Sequence, residues 1–180
     1  VDTNGTLLFE RDDIETGRIV WQTTGGQQLG SIWGHGAYVA PDWSADWLHR
    51  EAEALLEIRA RRDHDSSYAA LDPATREALA AQLRAELREN TYDAATGTLK
   101  VSPDRALAMS EVGAHYVSLF GNDAATAKLR SDYAMRDNTV DTLEHREKLT
   151  AFFFWSAWAA VTDRSCDTKT YTNNLPYDPL

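Results

Sequence analysis

Residues Thr142 to Thr162 constrain the fold more than any other stretch of this chain. The first half carries Glu144, His145, Arg146, Glu147 and Lys148, while the second, Ala151 to Val161, is apolar but for Ser156. A helix that is apolar nearly all round must be buried or lie against another surface. The run is far short of the roughly 20 residues that a membrane-spanning helix needs. The sequence therefore predicts a helix with a wet first half and a dry second half, inside a fold that can enclose it.

The rest of the chain supplies helices of the usual kind. Arg11 to Thr23 predicts a helix capped by Asp12 or Asp13, with Ile14 and Trp21 on its apolar side and the Gly25-Gly26 pair stopping it. A glycine-rich loop follows, to Asp42. Ser44 to about Arg62 predicts a long helix, with Trp43, Trp47, Leu48, Ala52, Leu55 and Leu56 at helical spacing. Acidic Asp42 and Asp46 at its start and Arg59, Arg61 and Arg62 at its end complement its dipole. Asp72-Pro73 and Ser102-Pro103 each open a further helix, because proline at the first helical position loses nothing by lacking an N–H. Between these two helices, Asp93 to Gly97 predicts a hairpin turn flanked by Thr91-Tyr92 and by Thr98 to Val101. Leu7 to Phe9 reads as a short strand, Asp123 to Ala134 as a shorter helix, and Asp163 to Leu180 as an extended connector. The expected fold is mainly α with a small β-hairpin, and no boundary divides the 180 residues, so 1–180 is read as a single soluble domain.

Composition excludes several function classes. The formal net charge is −10, which disfavours nucleic acid and anionic lipid headgroups, both of which call for a basic face. The N-terminus shows no signal-peptide pattern. The single cysteine, Cys166, permits no internal disulfide and reads as an incidental thiol. The histidines His35, His49, His64, His115 and His145 are scattered, without ligand spacing or thiol partners. The chain has no nucleophile elbow, phosphate loop or zinc-protease motif. Nothing in it makes the domain an enzyme by itself.

One window is more specific. Gly17-x-x-x-Trp21, Gly26-Gln27-Gln28-Leu29-Gly30 and Gly34-His35-Gly36-Ala37-Tyr38-Val39-Ala40-Pro41 have the layout of the start of a c-type cytochrome. In such a protein a short helix bearing a glycine and an aromatic precedes C-x-x-C-H, whose thiols bind haem and whose histidine ligates its iron. Neither cysteine nor histidine occurs between Gly17 and Trp33, so no haem c can be attached there. Gly34-x-Gly36-Ala37-Tyr38-x-Ala40-Pro41-Asp42 resembles the loop after the haem motif in the small cytochrome subunit of respiratory nitric-oxide reductase. The longer run from Trp21 to Glu51 resembles the single-chain, quinol-dependent form of that enzyme, in which the cytochrome-like part is fused to the membrane subunit and has lost its haem. Phe152-Phe153-Phe154-Trp155-x-Ala157-Trp158, Tyr171-Thr172-Asn173-Asn174-x-Pro176 and Arg136-Asp137-Asn138-Thr139 extend the resemblance to the other end of the chain.

That resemblance implies a cytochrome-c-like helical core without haem, carrying helical insertions and excised from between two transmembrane spans. In such a core helix 11–23 packs on helix 142–162, and aromatics such as Trp21, Trp33 or Trp155 fill the volume that haem would take. It implies an outward-facing domain, periplasmic or extracellular, on the cell membrane of a bacterium or archaeon. The whole enzyme couples two NO into nitrous oxide and water with electrons from a membrane quinol. Its haem b, haem b3 and non-haem iron belong to the membrane catalytic domain of the same chain, and the full enzyme is expected as a homodimer. The domain itself is expected to hold no cofactor and to act as a lid over those centres and the quinol pocket.

The resemblance also carries a calcium: Gly36, through its carbonyl, and Tyr38, through an oxygen, are its expected ligands, completed only in the full enzyme. The alternative for Tyr38 is a packed aromatic after a glycine turn. His35, Asp42, Trp43, Asp46, Trp47, His49, Arg50 and Glu51 mix rings and charges at one helix start and form a candidate interface. Their alternative role is a helix cap with core anchors. The competing reading of the whole chain is a free-standing binding or sensor module on a haem-less cytochrome fold.

Overall fold

The structure is a computed structural model that describes residues 1–34 and 39–163. Its helices are α1 (Arg11–Thr23), α2 (Trp43–His64), α3 (Pro73–Arg88), α4 (Pro103–Leu119), α5 (Ala127–Asp132) and α6 (Leu143–Val161). The strands β1 (Tyr92–Asp93) and β2 (Thr98–Leu99) form an antiparallel hairpin, with Tyr92 opposite Leu99 and Asp93 opposite Thr98. Gly97 occupies the left-handed position of its turn at φ +66°.

Helix starts follow local chemistry. Asp72 accepts from the backbone N–H groups of Ala74 and Thr75, and Ser102 accepts from Arg105, each cap standing immediately before a proline. The α1 cap differs from expectation. Glu10 is the capping residue and Asp13, three residues on, accepts from the Glu10 N–H at 2.7 Å, so one step of the chain satisfies both ends of a capping box. Leu7 to Phe9 forms no strand among the described residues; Phe9 instead lays its ring 5.9 Å from Phe154 in the core. Asp123 to Ala134 does not form one helix. A 3₁₀ turn at Ala124–Thr126 precedes α5, because the guanidinium of buried Arg130 turns back to the carbonyls of Asp123 and Ser118. The connector after Asp163 lies outside the described residues, and Cys166 with it.

The core is aromatic. Trp43 stacks on Phe153 with centroids 5.5 Å apart, and Trp47 stacks on Tyr116 at 5.5 Å, so α2, α4 and α6 interleave their rings. Trp43, Trp47, Phe153, Leu149 and Leu119 are fully buried. A smaller cluster of Leu55, Leu83, Leu87 and Ala108 joins α2, α3 and α4. The dry second half of α6 lies inside this packing, with Ala151, Phe153 and Ala157 at 0% exposure. The charged first half is tied down by ion pairs and backbone contacts: Lys148 pairs with Asp13 of α1, and Arg146 donates to the carbonyls of Val140 and Asp141.

The helix contact expected from the sequence is present. α1 lies directly against α6, at a distance that only a glycine at position 17 allows. Trp21, one turn further along α1, sets its ring 5.8 Å from Phe152 of α6.

Candidate functional site: a glycine loop walled by tryptophans

The loop between α1 and α2 is held at its neck. Ser31 donates its N–H to the Pro41 carbonyl at 3.1 Å, and Trp43 donates to the Ser31 carbonyl at 2.8 Å. Asp42 fastens both stems. One carboxylate oxygen accepts from Ser31 Oγ at 2.8 Å and from the Gly34 N–H; the other accepts from the Ala45 N–H at 2.9 Å and from Ser44 Oγ. Burial works to raise the Asp42 pKa, but the hydrogen bonds from Ser44, Gly34, Ala45 and Ser31 outweigh it and hold the group below the ordinary carboxylate value. Asp42 is thus an N-cap and a loop clamp at once. The tip of the loop, with His35, Gly36 and Tyr38, lies outside the described residues, and so do the two expected calcium ligands.

Trp33 shapes the wall of the loop. Its backbone is left-handed at φ +56°, uncommon for a bulky side chain. Its N–H donates to Ser44 Oγ at 3.1 Å, its indole N–H to the Ser156 carbonyl at 2.9 Å, and its ring lies 5.7 Å from that of Trp155. Trp21 closes the other side by donating its indole N–H to the Gly30 carbonyl at 3.1 Å. Gly30 passes so close to Trp43 that a Cβ there would fall 2.1 Å from the indole nitrogen. Rings of Trp21, Phe152, Trp33 and Trp155 thus meet where α1, the loop and α6 come together.

Seven of the eight residues expected as an interface are described, and they differ in burial. Trp43, Trp47 and Glu51 are fully buried within the domain, which corrects the interface reading for those three: they are core anchors. Glu51 is held there by the indole N–H of Trp47 at 3.0 Å and by Nε of Arg105 at 2.6 Å. Arg105 also lies over the Phe154 ring at 5.7 Å. Asp46 accepts from the Tyr116 hydroxyl at 2.6 Å and from Arg50 Nε at 2.8 Å. Burial, then the Asp46 charge, pushes the Tyr116 phenol well above its ordinary range. Next to it, burial and then Arg50 push the His115 imidazole down, which favours its neutral form. His49 is exposed and pairs with Glu53 at 3.3 Å, while Asp42, Asp46 and Arg50 are half-buried; His35 lies outside the described residues.

Sequence reasoning reaches neither the Asp42 clamp nor the Glu51–Arg105 pair. Asp42 is recognisable from sequence only as a cap, and the second duty depends on Ser31 arriving from the other stem. Nothing local marks the partner of Glu51, which lies 54 positions away.

Elsewhere, a groove of about 760 Å³ runs between Leu7–Phe9, α4 and the start of α6, with Met109, Gly113, Asp13 and Lys148 among its lining residues. Among the described residues no three His, Cys, Asp or Glu side chains converge as a metal site, and no helix is long and apolar enough to cross a membrane.

No curated protein sequence matches the chain. A family model describing the cytochrome c-like domain of the nitric oxide reductase protein NorB matches residues 1–177, nearly the whole length. The chain belongs to this family, the NorB cytochrome c-like domains of nitric oxide reductase.

Proposed function

We propose that this domain is the outward-facing lid of a single-chain, quinol-dependent nitric oxide reductase, and that it carries no redox group of its own. The observation that supports this reading is the lack of any cysteine or histidine from Gly17 to Trp33, where rings of this chain pack instead. A covalent haem needs two thiols and an axial histidine. The chain has Gly26 to Gly30 in that window and its single cysteine at position 166. The rings of Trp21, Phe152, Trp33 and Trp155 pack where α1, the loop and α6 converge. The residues present do not fit haem c, so no electron step is routed through the domain.

In this reading quinol delivers electrons directly to the membrane part. There the haem b, haem b3 and non-haem iron supply the coupling of two NO. The domain covers those centres, excludes water from them and frames the quinol pocket. The Asp42 clamp fixes both stems of the loop that bears Gly36 and Tyr38, so that its tip is presented to a calcium completed by the membrane domain. Exposed His49 on α2 is a further proposed contact with that domain. The protein sits in a cell membrane with this domain on the periplasmic or extracellular side, and the full enzyme assembles as a homodimer.

The test is the electron donor. The purified full-length enzyme is assayed for NO consumption with a reduced quinol and, separately, with reduced cytochrome c. Turnover with quinol alone is expected. Turnover with cytochrome c and none with quinol overturns the reading.

A further inference from the structure

Where α4 packs on the start of α2, one carboxylate serves both helices. Asp46 of α2 accepts from Arg50 Nε, one turn further along the same helix, at 2.8 Å, and from the Tyr116 hydroxyl of α4 at 2.6 Å. His115 stands beside Tyr116, the two rings meeting edge to face at 5.3 Å. Its Nε2 is buried and has no hydrogen-bond partner among the described residues. The charged and phenolic groups around this contact come from three elements. Asp46 and Arg50 belong to α2, Tyr116 and exposed Glu111 to α4, and Tyr133 follows α5 and feels the same Asp46 and Arg50 charges.

The site accommodates one protonation state of His115. In the neutral imidazole one nitrogen is a donor and the other an acceptor, so Nε2 can stand as a bare lone pair; in the imidazolium both nitrogens carry N–H. Protonation therefore creates a buried donor without an acceptor, which costs the full desolvation of that group. It also sets a second cation beside Arg50. Asp46 is the carboxylate that opposes this, and its Oδ2 already accepts from both Arg50 and Tyr116. Burial, then Arg50, lowers the His115 pKa from its ordinary 6.5, with Asp46 pulling the other way. The Tyr116 and Tyr133 phenols are both pushed above their ordinary value and stay neutral. Because the folded value of His115 is depressed, its contribution to stability is complete above 6.5. That contribution is lost as pH falls through 6.5 toward the lower folded value.

The first turns of α2 have a second duty. The Asp46 N–H donates to the Asp42 carbonyl at 2.8 Å, and the Asp42 side chain clamps both stems of the glycine loop. A disturbance at Asp46 and Arg50 is thus one helical turn from the neck of that loop.

We infer that His115 is an acid-operated latch: on protonation it loosens α4 from the start of α2 and, through the Asp46 turn, releases the neck of the loop held by Asp42. At neutral pH the latch is closed and the loop keeps one setting. In mild acid the helix start and the loop stems open together. The latch belongs to this domain's own packing and does not depend on what the loop touches.

The test is hydrogen exchange of the full-length protein, read by mass spectrometry at about pH 7.5 and about pH 5.5, on either side of the ordinary histidine range. Rates are corrected for the pH dependence of chemical exchange, and α3 serves as the internal reference. In the wild type the segment Asp42 to Arg50 is expected to exchange several-fold faster at the lower pH, with α3 unchanged. His115→Phe keeps a ring against Tyr116 and cannot be protonated, so this acid response is expected to vanish. Arg50→Gln changes a half-buried side chain outside the core and leaves the imidazolium to pair with Asp46, so the response is expected to shrink there too. A response as large as that of the wild type in both variants assigns the effect to another group and overturns the latch. The absence of any response in the wild type overturns it as well.

Discussion

Gly17 of α1 rests on the backbone of Lys148 of α6: a Cβ at position 17 would lie 2.0 Å from the Lys148 carbonyl oxygen and 2.9 Å from Phe152 Cβ. Helix propensity favours alanine over glycine by about 1 kcal/mol. Contact decides the sign here, because the obstacle is backbone and cannot rotate away.

Gly17→Ala is therefore expected to destabilise the domain by about 1–3 kcal/mol, the usual cost of overpacking. The melting temperature falls by roughly 2–4 °C per kcal/mol for a domain of this size. Gly113 of α4 is the control. A Cβ there meets nothing nearer than Thr150 Oγ1 at 3.8 Å, so Gly113→Ala is expected to be neutral or to raise the melting temperature. Equal effects of the two substitutions in a thermal melt contradict the close α1–α6 contact.

The buried pair Glu51–Arg105 makes a second prediction. Glu51→Leu leaves the Arg105 guanidinium, 3% exposed, without its anion, at a cost of about 3–5 kcal/mol. Glu51→Leu combined with Arg105→Met removes both charges and is expected to be more stable than either single variant. Urea unfolding of the three proteins measures the coupling. A double variant that loses the sum of the two single losses means the pair is not coupled.

Acid sensitivity follows from Asp42. Its folded pKa lies below the ordinary 3.8, so the folded state holds fewer protons than the unfolded state in that range. The contribution is complete above the unfolded value and is lost as pH falls through 3.8 toward the lower folded value. Asp42→Asn keeps much of the cap and loses this titration, so its urea midpoint falls less steeply on acidification over that window. Parallel pH profiles for the two proteins refute the clamp as an ionised group.

The loop tip gives a fourth. If the loop holds the proposed calcium, Gly36→Val in the full-length enzyme is expected to lower both calcium content and turnover, because a branched side chain crowds the carbonyl proposed as a ligand. Tyr38→Phe does so only if the phenol oxygen is a ligand. Calcium analysis beside activity for both variants reads this out, and full occupancy with wild-type turnover in both would mean that the loop is only a turn.

How far the sequence reaches depends on whether a signal is local. Asp72-Pro73 and Ser102-Pro103 mark α3 and α4 to the residue, because cap and proline act within one turn. The turn at Asp93 to Gly97 is equally local. Glu10 escapes a sequence reading because a glutamate cap depends on Asp13 to complete the box, and Asp13 alone looks like the cap. The break before α5 is imposed by Arg130, whose buried hydrogen bonds reach back to Ser118. In the candidate site, Trp43 and Trp47 fit an interface or a core equally well on periodicity alone. Tyr116 and Phe153, which bury them, arrive from α4 and α6, far along the chain.

The haem-less state proposed for this cytochrome c-like domain is open to a direct test. The direct measurement is haem retention after denaturation. The full-length chain is expressed with a cytochrome c maturation system, denatured, separated from free haem and examined for a Soret band. The account predicts no haem on the denatured chain. A Soret band that stays with the polypeptide contradicts it.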